Sequence, residues 1–91
     1  MYAVYILASQ RNGTLYIGVT NDLPRRVEQH GLATADSFTR RYGVTILVHV
    51  EWFDDIRDAI AREKQLKRWK RAWKIRLIEA GNPNWEELPA W

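Results

Sequence analysis

Residues 14–30 read TLYIGVTNDLPRRVEQH, and the fold follows from how that stretch divides. Thr14 to Thr20 is rich in β-branched and aromatic residues, which suit a pleated surface, and predicts a strand. Thr20, Asn21 and Asp22 each carry a side chain able to cap a helix start. Pro24 suits a first helical turn, where the missing backbone donor would have had no partner. The spacing predicts a short helix from about Asp22 to His30, stopped at Gly31. Arg26 and His30 stand four residues apart and share a face. A phenol from Tyr16, a guanidinium and an imidazole gathered at one end of this unit suit phosphate chemistry better than a dry core. Each also has an ordinary structural reading, as a strand tyrosine, a surface cation and a core-edge histidine.

Working outward, Tyr2 to Ala8 predicts a preceding strand, and Asn12-Gly13 is a strong hairpin signal. A two-residue turn sets Arg11 opposite Thr14. Val4, Ile6, Ala8, Leu15, Ile17 and Val19 then share one uniformly apolar face, which must be core. Tyr5, Leu7, Ser9, Tyr16, Gly18 and Thr20 share the other, with Gly18 leaving open space between the tyrosines. Leu23 and Val27 turn the helix inward. Residues 32–43 read as a loop, and its Phe38, Thr39, Arg40, Arg41 and Tyr42 suit a polynucleotide backbone with stacked bases, or equally an ordinary surface loop. Val44 to Phe53 predicts a third strand, with Val44, Ile46, Val48, Val50 and Trp52 on one face. His49, on the other face, is assigned no role.

Asp54 and Asp55 cap a helix predicted to run to about Trp69, with an apolar stripe of Ile56, Ala59, Ile60 and Leu66. Glu63 falls inside that stripe. A carboxylate at a core-facing position is costly unless paired or bound to a metal. Two readings stand: an ion pair with Arg26 or another cation, or a metal ligand. One carboxylate completed by water and phosphate oxygens matches the habits of Mg²⁺. A further helix spans about Arg71 to Ala80 and ends at Gly81. Trp69, Trp73 and Trp85 are expected to anchor this part to the sheet.

Composition narrows the classes. The chain has 91 residues, enough for one small domain whose core spans about 1–80, with a tail from 81 to 91. It has no cysteine, which excludes disulfides and thiolate metal sites. No apolar run approaches membrane-spanning length, so a soluble, cytoplasmic protein without membrane association is expected. Net charge is +3, but eight of the fourteen Lys and Arg lie between Arg62 and Arg76, with Glu63 the sole acid there. Such a cluster points to a polyanion, and Lys67, Arg68, Lys70, Arg71 and Lys74 are its candidate contacts. A merely solvated basic face is the plainer alternative.

Val4-Tyr5, Tyr16-Ile17-Gly18, Arg26, His30 and Glu63, in that order, resemble the GIY-YIG nuclease superfamily, especially its short stand-alone members. The resemblance covers essentially the whole chain, including NGTLYIGVTNDLPRRV, FTRRYG and AREKQLKRWKRAWKIRLIEAGNP. It implies an α+β fold, a three-stranded antiparallel sheet flanked by helices, and a metal-dependent endonuclease acting on DNA, with single-stranded and branched forms open as substrates. It further implies Glu63 as ligand of Mg²⁺ or Mn²⁺, Tyr16 orienting or deprotonating the attacking water, and Arg26 on the scissile phosphate. Tyr5 would position the phosphate or water network, and His30 would assist proton transfer. The first motif departs from the pattern, with Ala3 and Val4 before Tyr5. An Asn found after the metal-binding Glu in some larger members has no counterpart near Ile75; Asn82 and Asn84 lie further on. The rival expectation is a non-catalytic nucleic-acid-binding module using the same cleft. A monomer is expected rather than an obligate oligomer.

Overall fold

Seven residues from Tyr2 to Ala8, six of them buried, form the central strand β1. A computed structural model describes residues 1–31 and 43–90, without the side chains at 30 and 31. β2 (Leu15–Thr20) and β3 (Ile46–Phe53) flank β1, both antiparallel, in the order β2-β1-β3. Among the described residues there are three helices: α1 (Leu23–Gly31), α2 (Ile56–Arg68) and α3 (Arg71–Gly81). This is an α+β fold with a three-stranded antiparallel sheet flanked by helices.

A sheet buried on both faces explains why β1 lacks the polar alternation of a half-exposed strand. One core joins Val4, Ile6, Ala8, Ile17 and Val48 to Ala59 and Leu66 of α2, Ile78 of α3, and Trp85. The other joins Ala3, Tyr5, Leu7 and Leu47 to Leu23 of α1 and to Ala90 in the tail. The tail is therefore core material, and Leu88 N donates to Leu47 O at 2.8 Å.

The hairpin turn is longer than two residues. Gly13 N donates to Gln10 O, Ser9 N donates to Thr14 O, and Asn12 takes the positive φ of 59°. The strands slide by two residues from the expected pairing, so Tyr5 faces Gly18 and Leu7 faces Tyr16. An even slide preserves which residues share a face, so the two-face assignment of β1 and β2 holds.

β3 departs from strict alternation. Its pairing with β1 shifts between Ile6↔His49 and Leu7↔Leu47, leaving Val48 as an extra residue. This bulge sends Leu47 and Val50 to the Tyr5 core while Ile46 and Val48 join the opposite one. Asn82, buried at the end of α3, steadies the bulge. Its Nδ2 donates to Val48 O at 3.2 Å and Glu86 O at 2.8 Å, and its Oδ1 accepts from Glu86 N at 3.0 Å. Trp73 is the other correction: it is 46% exposed, whereas Trp85 is buried and Trp69 packs against the core.

Candidate active site

Gly18 exists as glycine because of Tyr5. A Cβ added at Gly18 would stand 2.5 Å from Tyr5 Oη and 2.6 Å from its Cζ. The space expected between the tyrosines is therefore filled by the Tyr5 phenol, which lies across the β2 backbone and is wholly enclosed. Tyr16, two residues before Gly18 on the same face, is half-buried, and the two rings have centroids 6.3 Å apart with planes 36° off parallel. The pair forms a rigid aromatic step. Tyr5 is inside it, and Tyr16 leads outward.

α1 starts where β2 ends, and its cap fixes Arg26. Thr20 Oγ1 accepts from Asp22 N at 3.0 Å, Asp22 Oδ1 accepts from Arg25 N at 3.4 Å, and Asp22 O accepts from Arg26 N at 3.2 Å. Arg26 is thus held in the first turn, half-buried, in the wall of a cleft of about 820 Å³. Val19, Thr20, Asp22, Arg25 and Ile56 share that wall. Arg25 was not singled out from the sequence, although the doubled arginine after Pro24 was its signal. His30 lies one turn after Arg26 in α1, with its side chain outside the described residues. Phe38, Thr39, Arg40, Arg41 and Tyr42 also lie outside them.

On α2, Asp55 caps the helix by accepting from Arg57 N at 2.8 Å. Ala59 and Leu66 are fully buried, while Ile56 and Ile60 sit at the rim, 38% and 37% exposed. Glu63 lies between the two buried residues with its side chain only 17% exposed, and Lys67 Nζ, 54% exposed, is 3.5 Å from Glu63 Oε2. Ile56 borders the cleft with Val19 and Thr20, and Lys67 borders a second cleft with Leu15, Tyr16 and Ile17. α2 therefore runs antiparallel along β2. At about 1.5 Å rise per residue, Glu63 is about 10 Å along from Ile56 and about 6 Å short of Lys67. That interpolation sets its backbone level with the middle of β2, with α2 packed on the sheet face opposite the one that carries Tyr5 and Tyr16.

Among the described residues no group of three or more His, Cys, Asp or Glu side chains could cage a metal. What the site offers is one shielded carboxylate. That donor set fits a hard divalent cation, such as Mg²⁺ or Mn²⁺, that keeps waters and takes substrate oxygens.

The basic cluster divides by what each cation already does. Lys67 and Lys74 line the cleft at Tyr16. Arg68 and Lys70 are exposed. Arg71 Nη2 donates to Asn12 O at 2.7 Å and to Gly13 O at 2.5 Å, clasping the β1–β2 turn. Arg62 donates to Glu51 through Nε and Nη2, at 2.8 and 3.1 Å, and His49 Nε2 is 2.8 Å from the same carboxylate. Burial raises the pKa of Glu51, but the hydrogen bonds from Arg62 and His49 outweigh it and hold the group below the usual carboxylate value. His49, assigned no role from the sequence, belongs to this structural network. No described helix is long and apolar enough to cross a membrane.

Residues 1–76 match the family model described as GIY-YIG catalytic domain, a span that includes both tyrosines, Arg26, His30 and Glu63. A UPF0213 protein of Clostridium perfringens is 36% identical over 80 residues, 88% of this chain and 85% of that protein. Another, from Natronomonas pharaonis, is 40% identical over 75 residues, covering 82% and 87%. The solution NMR structure of a UPF0213 protein from Bacillus halodurans superposes with a TM-score of 0.59 at 30% identity, covering 96% of this chain and 93% of that one.

Proposed function

Because the chain belongs to the GIY-YIG catalytic-domain family, whose members are typically nucleases, we propose that it is a small endonuclease. In this reading it hydrolyses phosphodiester bonds in DNA, single-stranded or branched forms included, with a divalent cation held at Glu63. The observation that carries the reading is Glu63 itself. A carboxylate 17% exposed between two fully buried residues of α2 needs a charged partner. Lys67, 54% exposed and 3.5 Å from Oε2, is a partial one.

The other groups follow from their positions. Arg26, fixed by the α1 cap at the cleft wall, holds the scissile phosphate and opposes the charge that develops on it. Tyr16 reaches toward the cleft bordered by Lys67 and Lys74 and orients the attacking water. Its unperturbed pKa of about 10 makes it a poor base near neutrality unless positive charge lies close. His30, with an unperturbed value of about 6.5, is the other proton acceptor on this route. Tyr5, wholly enclosed, acts as a positioning residue that fixes Tyr16 and the β2 backbone. Mg²⁺ or Mn²⁺ bound at Glu63 would supply positive charge to phosphate oxygens and lower the pKa of a coordinated water. Thr39, Arg40, Arg41, Tyr42, Lys67, Arg68, Lys70 and Lys74 supply nucleic-acid contacts, with Arg71 beside them on the turn.

The exposed basic and aromatic surface of α3 favours a second reading, a non-catalytic nucleic-acid-binding module. The two separate in one experiment. Purified protein is incubated with end-labelled single-stranded, duplex and branched DNA, with Mg²⁺ or Mn²⁺ and with chelator. The nuclease reading expects internal cuts only with metal. Retarded but uncut DNA on every substrate would establish the second reading instead.

A further inference from the structure

The α2–α3 junction carries two tryptophans that are used differently. Trp69 packs on the core, and the Arg62 guanidinium lies 5.0 Å from its ring centroid. Trp73 meets Trp69 edge-on, with centroids 6.0 Å apart and planes at 86°, and is 46% exposed. Lys70 Nζ lies 5.8 Å from the Trp73 ring centroid. Trp69, Trp73, Arg76 and Leu77 line an open groove of about 450 Å³. Leaving an indole half exposed forgoes burial that its neighbour Trp69 achieves.

We propose that Trp73 is a stacking platform for an unpaired base of a nucleic-acid strand, with Lys70 and Arg76 holding the phosphates on either side. The proposal rests on the nucleic-acid reading above for its class of ligand, and not on cleavage. Charge selects the occupant. From Lys64 to Ile78 the chain has seven Lys and Arg and no acid, so the ligand is anionic. A second copy of the chain would press this basic surface against itself across a two-fold axis. An indole face beside an ammonium accepts any base, because every base presents a π surface. Bases within a duplex have both faces covered, so only an unpaired one can lie on the ring. The groove and the cleft at Tyr16 are both lined from α3. Lys74 follows Trp73 in α3 and borders the cleft at Tyr16. A strand whose phosphates follow Lys67 and Lys74 past Tyr16 is thereby led to the Trp73 groove.

The test uses the full chain in chelator, so that binding is read without cleavage. Fluorescence anisotropy is measured with a labelled oligo(dT), a strand of equal length with abasic sugars throughout, and a duplex. Wild type is expected to bind oligo(dT) about tenfold more tightly than the abasic strand, the scale of one base–aromatic stack. Trp73→Ala removes that preference without weakening abasic or duplex binding, and Trp73→Phe restores most of it. Equal wild-type affinity for the two single strands overturns the proposal, whatever the variants do. So does a Trp73→Ala protein, folded by circular dichroism, that keeps the preference. A wild-type dimer in sedimentation that Trp73→Ala converts to monomer also overturns it, by assigning the groove to a second copy. Base-dependent binding without cleavage in Mg²⁺ would remove the nuclease reading alone. Cleavage without base-dependent binding would remove the stacking proposal alone.

Discussion

Replacing Gly18 with alanine should damage both stability and activity, and the structure sets the size of the effect. The new methyl would stand 2.5 Å from Tyr5 Oη, 2.6 Å from Cζ and 3.0 Å from Cε1. Non-bonded carbons prefer at least about 3.5 Å, so the ring must withdraw by about 0.9 Å. It has nowhere soft to go, because Tyr5, Leu7 and Leu47 are fully enclosed and Leu23 nearly so. Overpacking of this kind costs about 1–3 kcal/mol, and the enclosed ring argues for the upper part of that range. At about 4–8 °C per kcal/mol for a domain of this size, Tm should fall by about 10–20 °C. Thermal unfolding followed by circular dichroism reads the first effect, and cleavage well below Tm reads the second. A shift of about 1 Å in the tyrosine step should lower turnover about 100-fold. The control is Tyr5→Leu, which ends short of the clashing atoms. In that background Gly18→Ala should be nearly neutral, giving a coupling of about 2–3 kcal/mol. An unchanged Tm for Gly18→Ala in the wild-type background, or the same loss in both backgrounds, would refute the proposed packing.

Three further outcomes are expected. Tyr16→Phe and Arg26→Ala should each lower single-turnover cleavage by about 100-fold while DNA affinity changes far less; equal losses in binding and turnover would contradict their roles. Glu51→Gln should cost about 1–2 kcal/mol at pH 7, since Arg62 and His49 lose their acceptor charge. The folded pKa of Glu51 is lowered, so its contribution is complete above the ordinary value of 4.5 and is lost as pH falls through the folded value. Tm curves of variant and wild type should therefore draw together as pH falls below 4.5 and through the lowered folded value, and a constant gap would contradict the ion-pair account. Asn82→Ala should cost about 2–3 kcal/mol by stranding the carbonyls of Val48 and Glu86 and the Glu86 donor, read as a Tm lower by about 10–20 °C.

Much of this arrangement was legible because local signals agreed with the fold. β-branched runs, the Asn-Gly turn, the caps at Asp22 and Asp55 and the apolar stripe around Glu63 each point to the element that forms. Face assignment of β1 and β2 survived a wrong turn length, because a slide of two residues keeps every side chain on its side. β3 was misread for the complementary reason. A bulge at Val48 shifts register by one, and its support comes from Asn82, thirty-four residues away. No periodicity in the strand encodes that contact. Gly18 reads as open space in the sequence because a missing side chain does not say what fills it. Trp73 reads as core because hydrophobicity alone does not separate a buried indole from a displayed one. Arg71 and Arg62 counted equally with Lys67 in the charge cluster. The structure gives the first to turn carbonyls and the second to Glu51.

The central claim is that the shielded carboxylate of α2 holds the cation that makes phosphodiester cleavage possible. Its most direct test is the single-turnover cleavage rate of Glu63→Gln against wild type on labelled single-stranded DNA across a Mg²⁺ titration, with folding checked by circular dichroism. The account predicts a folded variant at least about 100-fold slower at every Mg²⁺ concentration, the scale of losing a charge-stabilising group from an active site. A folded variant that cuts at the wild-type rate with the same Mg²⁺ dependence would contradict it.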